Sequence, residues 1–131
     1  GDYELNTGSP HYIKFVENIQ IDDFISKSRS IRNNENYLKN GINVNFVSSN
    51  ENGISMRTYE RGVEDETLSC GSGVSAAALA YGFKNNIDKD SVSVKTKGGD
   101  LTVDFVRNED LFENIFLTGP AKFVYRGEID L

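Results

Sequence analysis

Ser69-Cys70-Gly71-Ser72-Gly73-Val74-Ser75-Ala76-Ala77-Ala78-Leu79-Ala80-Tyr81-Gly82-Phe83 decides how this chain is read. The stretch sets the one cysteine of a 131-residue sequence against small residues that let a backbone turn sharply and approach a bound group. From Val74 to Phe83 the alanines, with Leu79, Tyr81 and Phe83, predict a helix with almost no charge. A helix without a polar stripe is expected to be wrapped by protein on all sides, so its N-terminus is buried. Buried helix starts carry unpaired N–H donors and partial positive charge, which favour a bound carboxylate and favour thiolate over thiol. Cys70 is therefore a candidate base or nucleophile. A lone cysteine is more often a small packed hydrophobe, but the nearby Glu60-Arg61 and Glu64-Asp65-Glu66 have no use in apolar packing. The stretch is not a phosphate loop of the Walker type, because it lacks both the lysine and the GxGxxG spacing.

Working outward, the length suits one domain able to bury roughly two-thirds of its unfolded surface. The net charge of −6 removes the basic face that nucleic-acid binding requires. A single cysteine excludes an internal disulfide framework and a cysteine-based zinc site, and points to a reducing compartment. No apolar run reaches the roughly 20 residues that span a bilayer, so a soluble chain is expected. The first residues, Gly1-Asp2, have no signal character and no initiator methionine, which suggests a processing or cloning boundary.

Along the chain, His11 to Val16 alternates as a strand after a turn at Gly8-Ser9-Pro10, with Tyr12 and Lys14 opposite Ile13 and Phe15. His11 can tune a neighbouring thiol or carboxylate, although by type alone a strand-end histidine is more often solvated. The spacing of Phe24, Ile25, Ser28 and Ile31 predicts an amphipathic helix within Ile21 to Leu38, capped by Asp22 or Asp23 and broken near Asn33-Asn34. Ile42 to Val47 is a strand with Ile42, Val44 and Phe46 on one face and Asn43, Asn45 and Val47 on the other. Asn43, ordinarily an exposed residue, has an amide that can hold a carboxylate or amine. A turn at Asn50–Gly53 leads to a strand, Ile54 to Glu60, and Lys84 to Asp90 is polar loop. Ser91–Thr96 and Leu101–Val106 form a hairpin around Lys97–Asp100, and Asn114–Thr118 and Ala121–Glu128 are further strands split by Gly119-Pro120.

Glu60-Arg61-Gly62, Glu66-Thr67 and Cys70-Gly71-Ser72-Gly73 before an alanine-rich helix resemble the second half of diaminopimelate epimerase. Thr7-Gly8-Ser9-Pro10-His11 is similar to that family's Gly-Asn-Pro-His element, and Asn43-Val44-Asn45-Phe46 to its Asn-Val-x-Phe strand. The resemblance implies an α+β fold, a mixed barrel-like sheet wrapped around the alanine-rich helix, forming one of two pseudo-symmetric domains. Residues 1–131 then correspond to the C-terminal half, with the N-terminal half absent.

The implied activity is interconversion of LL- and meso-2,6-diaminopimelate, on the route to lysine and peptidoglycan, in the cytoplasm. It uses two cysteines, one from each half, and neither pyridoxal phosphate nor a metal. Cys70 is the acid/base; His11 and Glu60 tune thiol pKa values; Ser9, Asn43, Glu60, Arg61, Gly71 and Ser72 bind substrate. Arginine suits a carboxylate because its planar fork offers paired hydrogen bonds. Ser9 departs from the family's usual asparagine with a shorter, less versatile group, and one residue more than the commonest spacing separates Glu60 from Cys70. Implied partners are the small-molecule substrate, the missing N-terminal half and a homodimeric copy, with neither nucleic acid nor membrane. An isolated half is expected to be nearly inactive. Two other readings remain at this stage: a related cysteine-based racemase such as proline racemase, and a non-catalytic small-molecule binding domain with Cys70 merely packed.

Overall fold

In the computed structural model, which describes residues 1–131, the alanine-rich segment becomes the axis of the molecule. Ten elements follow in order: β1 (Asp2–Asn6), β2 (Pro10–Phe15), α1 (Phe24–Arg32), β3 (Asn43–Asn50), β4 (Gly53–Glu60), β5 (Asp65–Thr67), α2 (Gly71–Lys84), β6 (Lys89–Thr96), β7 (Gly99–Asn108) and β8 (Leu111–Thr118). One mixed sheet, ordered β1-β2-β3-β4-β6-β7-β8 with β5 added beside β4, curls around α2. The β2–β3 and β4–β6 pairs are parallel and the others antiparallel. Parallel neighbours need long crossovers. The link from β2 to β3 contains α1, and that from β4 to β6 contains β5 and α2.

The helix can lie this close to so many strands because its side chains are small. Val74, Ala76, Ala77, Ala78, Leu79 and Ala80 are buried, in one cluster with Ile13, Val47, Ile54, Met56, Val92, Val94, Val103 and Phe105 from the sheet. Burial on every side leaves no polar stripe, as expected from the sequence. A second, smaller core lies on the outer face of β3 and β4. There Phe24 of α1 meets Phe46 edge to face at 5.4 Å, beside Ile42, Val44 and Tyr59. The alternation along β3 therefore sends Ile42, Val44 and Phe46 outward to α1, and Val47 inward to α2. Both faces are covered.

Several boundaries differ from the expectation, each for a local reason. The first helix is Phe24–Arg32, shorter than Ile21–Leu38, and turns follow it where Asn34 accepts backbone hydrogen bonds from Tyr37 and Leu38. The second helix starts at Gly71, not Val74, because the early amides of a helix need no intrahelical acceptor. β6 begins at Lys89, inside the expected polar loop, since Lys89 and Asp90 pair with Val106 and Phe105. The hairpin turn is tighter than Lys97–Asp100, because Thr96 already pairs with Gly99. β8 extends back to Leu111.

The expected strand Ala121–Glu128 does not form. Residues 119–131 carry no regular structure, and Phe123, Val124 and Tyr125 are each more than 80% exposed. Strand propensity has no effect without a neighbouring edge to pair with.

Candidate active site

Cys70 occupies the N-cap of α2, with φ −136° and ψ 109°, and is half-buried. Its carbonyl accepts the first helical hydrogen bond, from the Val74 amide at 2.8 Å. The amides of Gly71, Ser72 and Gly73 thus precede the helical ladder and have no intrahelical acceptor. The Cys70 side chain makes no capping bond to them. Thr7 Oγ1 donates to the Ser72 carbonyl at 2.7 Å, tying the β1–β2 turn to this first helical turn.

Beside the sulfur lies a connected set of polar side chains on the inner face of the sheet. Ser72 Oγ is 3.5 Å from Cys70 Sγ, 2.8 Å from His11 Nε2 and 3.2 Å from Ser9 Oγ. Ser9 Oγ is itself 3.1 Å from His11 Nε2. His11 is completely buried, so the solvated strand-end histidine expected from residue type is replaced by a core one. Burial, reinforced by the positive charge of Arg61, pulls its pKa down to about 4. The ring is neutral near pH 7. Its other nitrogen, Nδ1, is 3.0 Å from Asn45 Nδ2, and Asn45 Oδ1 accepts from Thr58 Oγ1 at 2.9 Å.

Asn43 is likewise buried rather than exposed. Its Nδ2 donates to Ser9 Oγ and the Pro10 carbonyl, and its Oδ1 accepts from the Arg61 amide at 2.8 Å. One amide thus joins the β1–β2 turn to the end of β4. The Arg61 guanidinium donates through Nη1 to the Asn40 carbonyl at 2.8 Å, and the aliphatic part of its side chain crosses Gly41. Gly41 has φ +73°, and a Cβ there would lie 2.5 Å from Arg61 Cδ. Glu60, half-buried at the end of β4, makes no ion pair. The structure therefore gathers Cys70, Ser72, His11, Ser9 and Asn43 into one bonded set, while Arg61 joins through its backbone and Glu60 stands outside it.

The first turn of the helix meets the sheet closely at Gly73. A Cβ there would sit 2.8 Å from Asn45 Oδ1 and 3.1 Å from His11 Cε1, so only hydrogen fits. A cavity of about 610 Å³ lies elsewhere, beside Arg57, Glu66 and Lys95. No group of three or more His, Cys, Asp or Glu side chains is arranged to hold a metal ion. No helix is long and apolar enough to cross a membrane.

Chemically, the set offers backbone N–H donors for an oxyanion, a sulfur for proton exchange and a neutral imidazole behind a hydroxyl. The family model for diaminopimelate epimerase matches residues 3–124. The chain belongs to the diaminopimelate epimerase family. It is similar to the diaminopimelate epimerase of Flavobacterium psychrophilum, at 43% identity over 95% of this chain and 49% of the relative. That of Aquifex aeolicus is 44% identical over 95% of this chain and 44% of the relative. This epimerase-family chain spans about half the length of the curated relatives it matches. Solved structures share the fold. A predicted epimerase from Pseudomonas aeruginosa superposes with TM-score 0.62 at 14% identity, covering 80% of this chain and 35% of that one. A phenazine biosynthesis protein of the PhzF family from Enterococcus faecalis gives 0.58 at 17%, covering 80% and 36%.

Sequence reasoning about this epimerase-family chain missed Thr7, Asn45 and Thr58 as members of the bonded set. A signal was present. Asn45 and Thr58 fall on inward positions beside Val47, Ile54 and Met56, and a polar residue on a core face must find partners.

Proposed function

We propose that this chain supplies one face of a diaminopimelate epimerase, with Cys70 as one of two acid/base groups acting on the substrate's α-carbon. The observation that carries the reading is a half-buried cysteine at the N-cap of α2, beside amides left unpaired by the helix. In the proposed reaction one α-carboxylate of diaminopimelate sits on the amides of Gly71 and Ser72. Those donors stabilise the charge that develops on its oxygens when the α-proton leaves. The sulfur of Cys70 takes or returns that proton on one side of the carbon. A thiol or thiolate from the N-terminal half does the reverse on the other side, so the centre inverts with no net gain or loss of protons.

Ser72, within reach of the sulfur, donates its hydroxyl hydrogen to the thiolate form. His11 modulates that hydroxyl from behind, and Glu60 acts on thiol ionisation at the rim. Asn43 and Ser9 bind the substrate by exchanging their mutual contact for one to a ligand, and the unused guanidinium donors of Arg61 meet a carboxylate. The family match and the identity to named diaminopimelate epimerases support this substrate over proline.

Pairing the chain with an N-terminal half that carries the second cysteine tests the proposal. Conversion of LL- to meso-diaminopimelate and uptake of solvent deuterium at the α-carbon are the readouts. Cys70→Ala is expected to lower the rate by at least about 10²-fold, the scale of one acid/base group. Conversion within tenfold of wild type would remove the assignment.

A further inference from the structure

The inner-face hydrogen bonds can be assigned donor by donor. Asn45 is fully buried, and its Nδ2 lies 3.1 Å from the Tyr12 carbonyl, which can only accept. The amide nitrogen is therefore on that side, and the amide oxygen faces the Thr58 hydroxyl that donates to it. One of the two Nδ2 hydrogens goes to Tyr12, leaving the other for His11 Nδ1 at 3.0 Å. A hydrogen on Nδ1 would face that N–H head on. Nδ1 must accept, and the single hydrogen of the neutral imidazole must be on Nε2. From there it is donated to Ser72 Oγ at 2.8 Å, with Ser9 Oγ at 3.1 Å as the alternative acceptor. Ser72, having accepted from the ring, has its own hydrogen to give to Ser9 Oγ at 3.2 Å or to Cys70 Sγ at 3.5 Å, and a thiolate is the stronger acceptor of the two.

We propose that Asn45 is a positioning residue that locks His11 as the Nε2–H tautomer and so aims a one-way chain of donors, Asn45 to His11 to Ser72, at the sulfur of Cys70. The opposite tautomer would draw the Ser72 hydrogen back to Nε2 and leave the sulfur facing a lone pair. Asn45 thereby controls the ionisation of an atom it does not touch, through two intervening side chains. The proposal rests on Cys70 being the reacting group, but its central claim about the ring concerns only this chain.

Two-bond ¹H–¹⁵N correlation spectra of the imidazole near pH 7 test it directly. The expected result is a pyridine-like Nδ1 and a pyrrole-like Nε2. The reverse pattern, or averaged shifts from a tautomer mixture, overturns the lock. In Asn45→Ala the lock is expected to relax into a mixture. Iodoacetamide capture of Cys70 at pH 7 should then slow by about tenfold, the worth of one hydrogen bond to a charged group. If that variant keeps the wild-type capture rate, the chain does not reach the sulfur and the proposal fails. Should it not fold, the wild-type spectrum alone decides. A locked tautomer in a protein that supports no epimerisation with its other half would instead sink only the functional reading.

Discussion

His11 makes the folded chain sensitive to mild acid. Its ring titrates near about 6.5 in an unfolded chain, and at about 4 in the folded one. Above the first value both forms are neutral and pH has no effect through this group. Between the two, only the unfolded chain takes up a proton, so stability falls as pH drops, by about 1.4 kcal/mol per unit. Below the lower value the loss is complete, on the order of 3 kcal/mol. Urea unfolding measured from pH 7.5 down to 4.5 is expected to show this decline, and His11→Gln to flatten it. The Glu66 carboxyl, held below its ordinary range by Arg57, adds its own loss only at lower pH, starting from its ordinary 4.5. An equally steep slope in the histidine variant would assign the window to other groups. Gly73 is the other decisive position. Gly73→Ala is expected to cost about 1–3 kcal/mol from overpacking against Asn45 and His11, despite alanine's better helix propensity. A denaturation midpoint equal to or above wild type would show that the helix start can back away freely.

Among the elements, β5 depends most on a side chain outside itself. Its Glu66 receives Arg57 Nε at 2.7 Å and Nη2 at 2.9 Å, while Arg57 Nη1 donates to the carbonyls of Ile19 and Ile21 and the guanidinium lies 4.2 Å over the Phe24 ring. One arginine thus pins the entry to α1, the outer core and the strand that leads to Cys70. Arg57→Ala is expected to destabilise by about 2 kcal/mol, since it leaves a mostly buried carboxylate with only the exposed Lys97, at 3.6 Å, as its partner. A loss under about 1 kcal/mol in urea titration would show the pair to be an ordinary surface bridge. This element also shows where the sequence stops being readable. Asp65-Glu66-Thr67 has low strand propensity, and nothing nearby announces that Arg57 will hold it, so β5 was not anticipated. β1 was also unanticipated, though Tyr3 and Leu5 alternate with polar residues as a half-buried strand should. The converse error was Ala121–Glu128, which looks like a strand and finds no edge. By contrast, α2 and β3 were legible because burial on all sides, or on both faces, writes itself directly into composition and alternation. At the site, only the family resemblance put Cys70, Ser72 and His11 together, since by residue type alone His11 read as solvated, and Asn45's partners depend on distant strands meeting.

For the molecule as a whole, the sheet covers α2 but leaves an apolar fringe near the sulfur. Leu68 is 65% exposed and Leu117 44%, and a Cβ on Gly71 would lie 3.1 Å from Leu117 Cδ2. Residues 119–131 are exposed throughout. Removing residues 121–131 is therefore expected to change unfolding free energy by no more than about 0.5 kcal/mol, as for other exposed positions. A clear drop in the thermal midpoint would show that the tail packs on the sheet in solution. The mounting of Cys70 has a further implication for how such a fold can change its chemistry. A reactive group on a free-standing loop drifts with any nearby replacement. This sulfur instead starts the axle around which seven strands are wound, so its location is inherited from the core as a unit. Under the role proposed for Cys70, new specificity would have to be carved in side chains around it such as Ser9, Arg61 and Leu117, while the hub stays where it is.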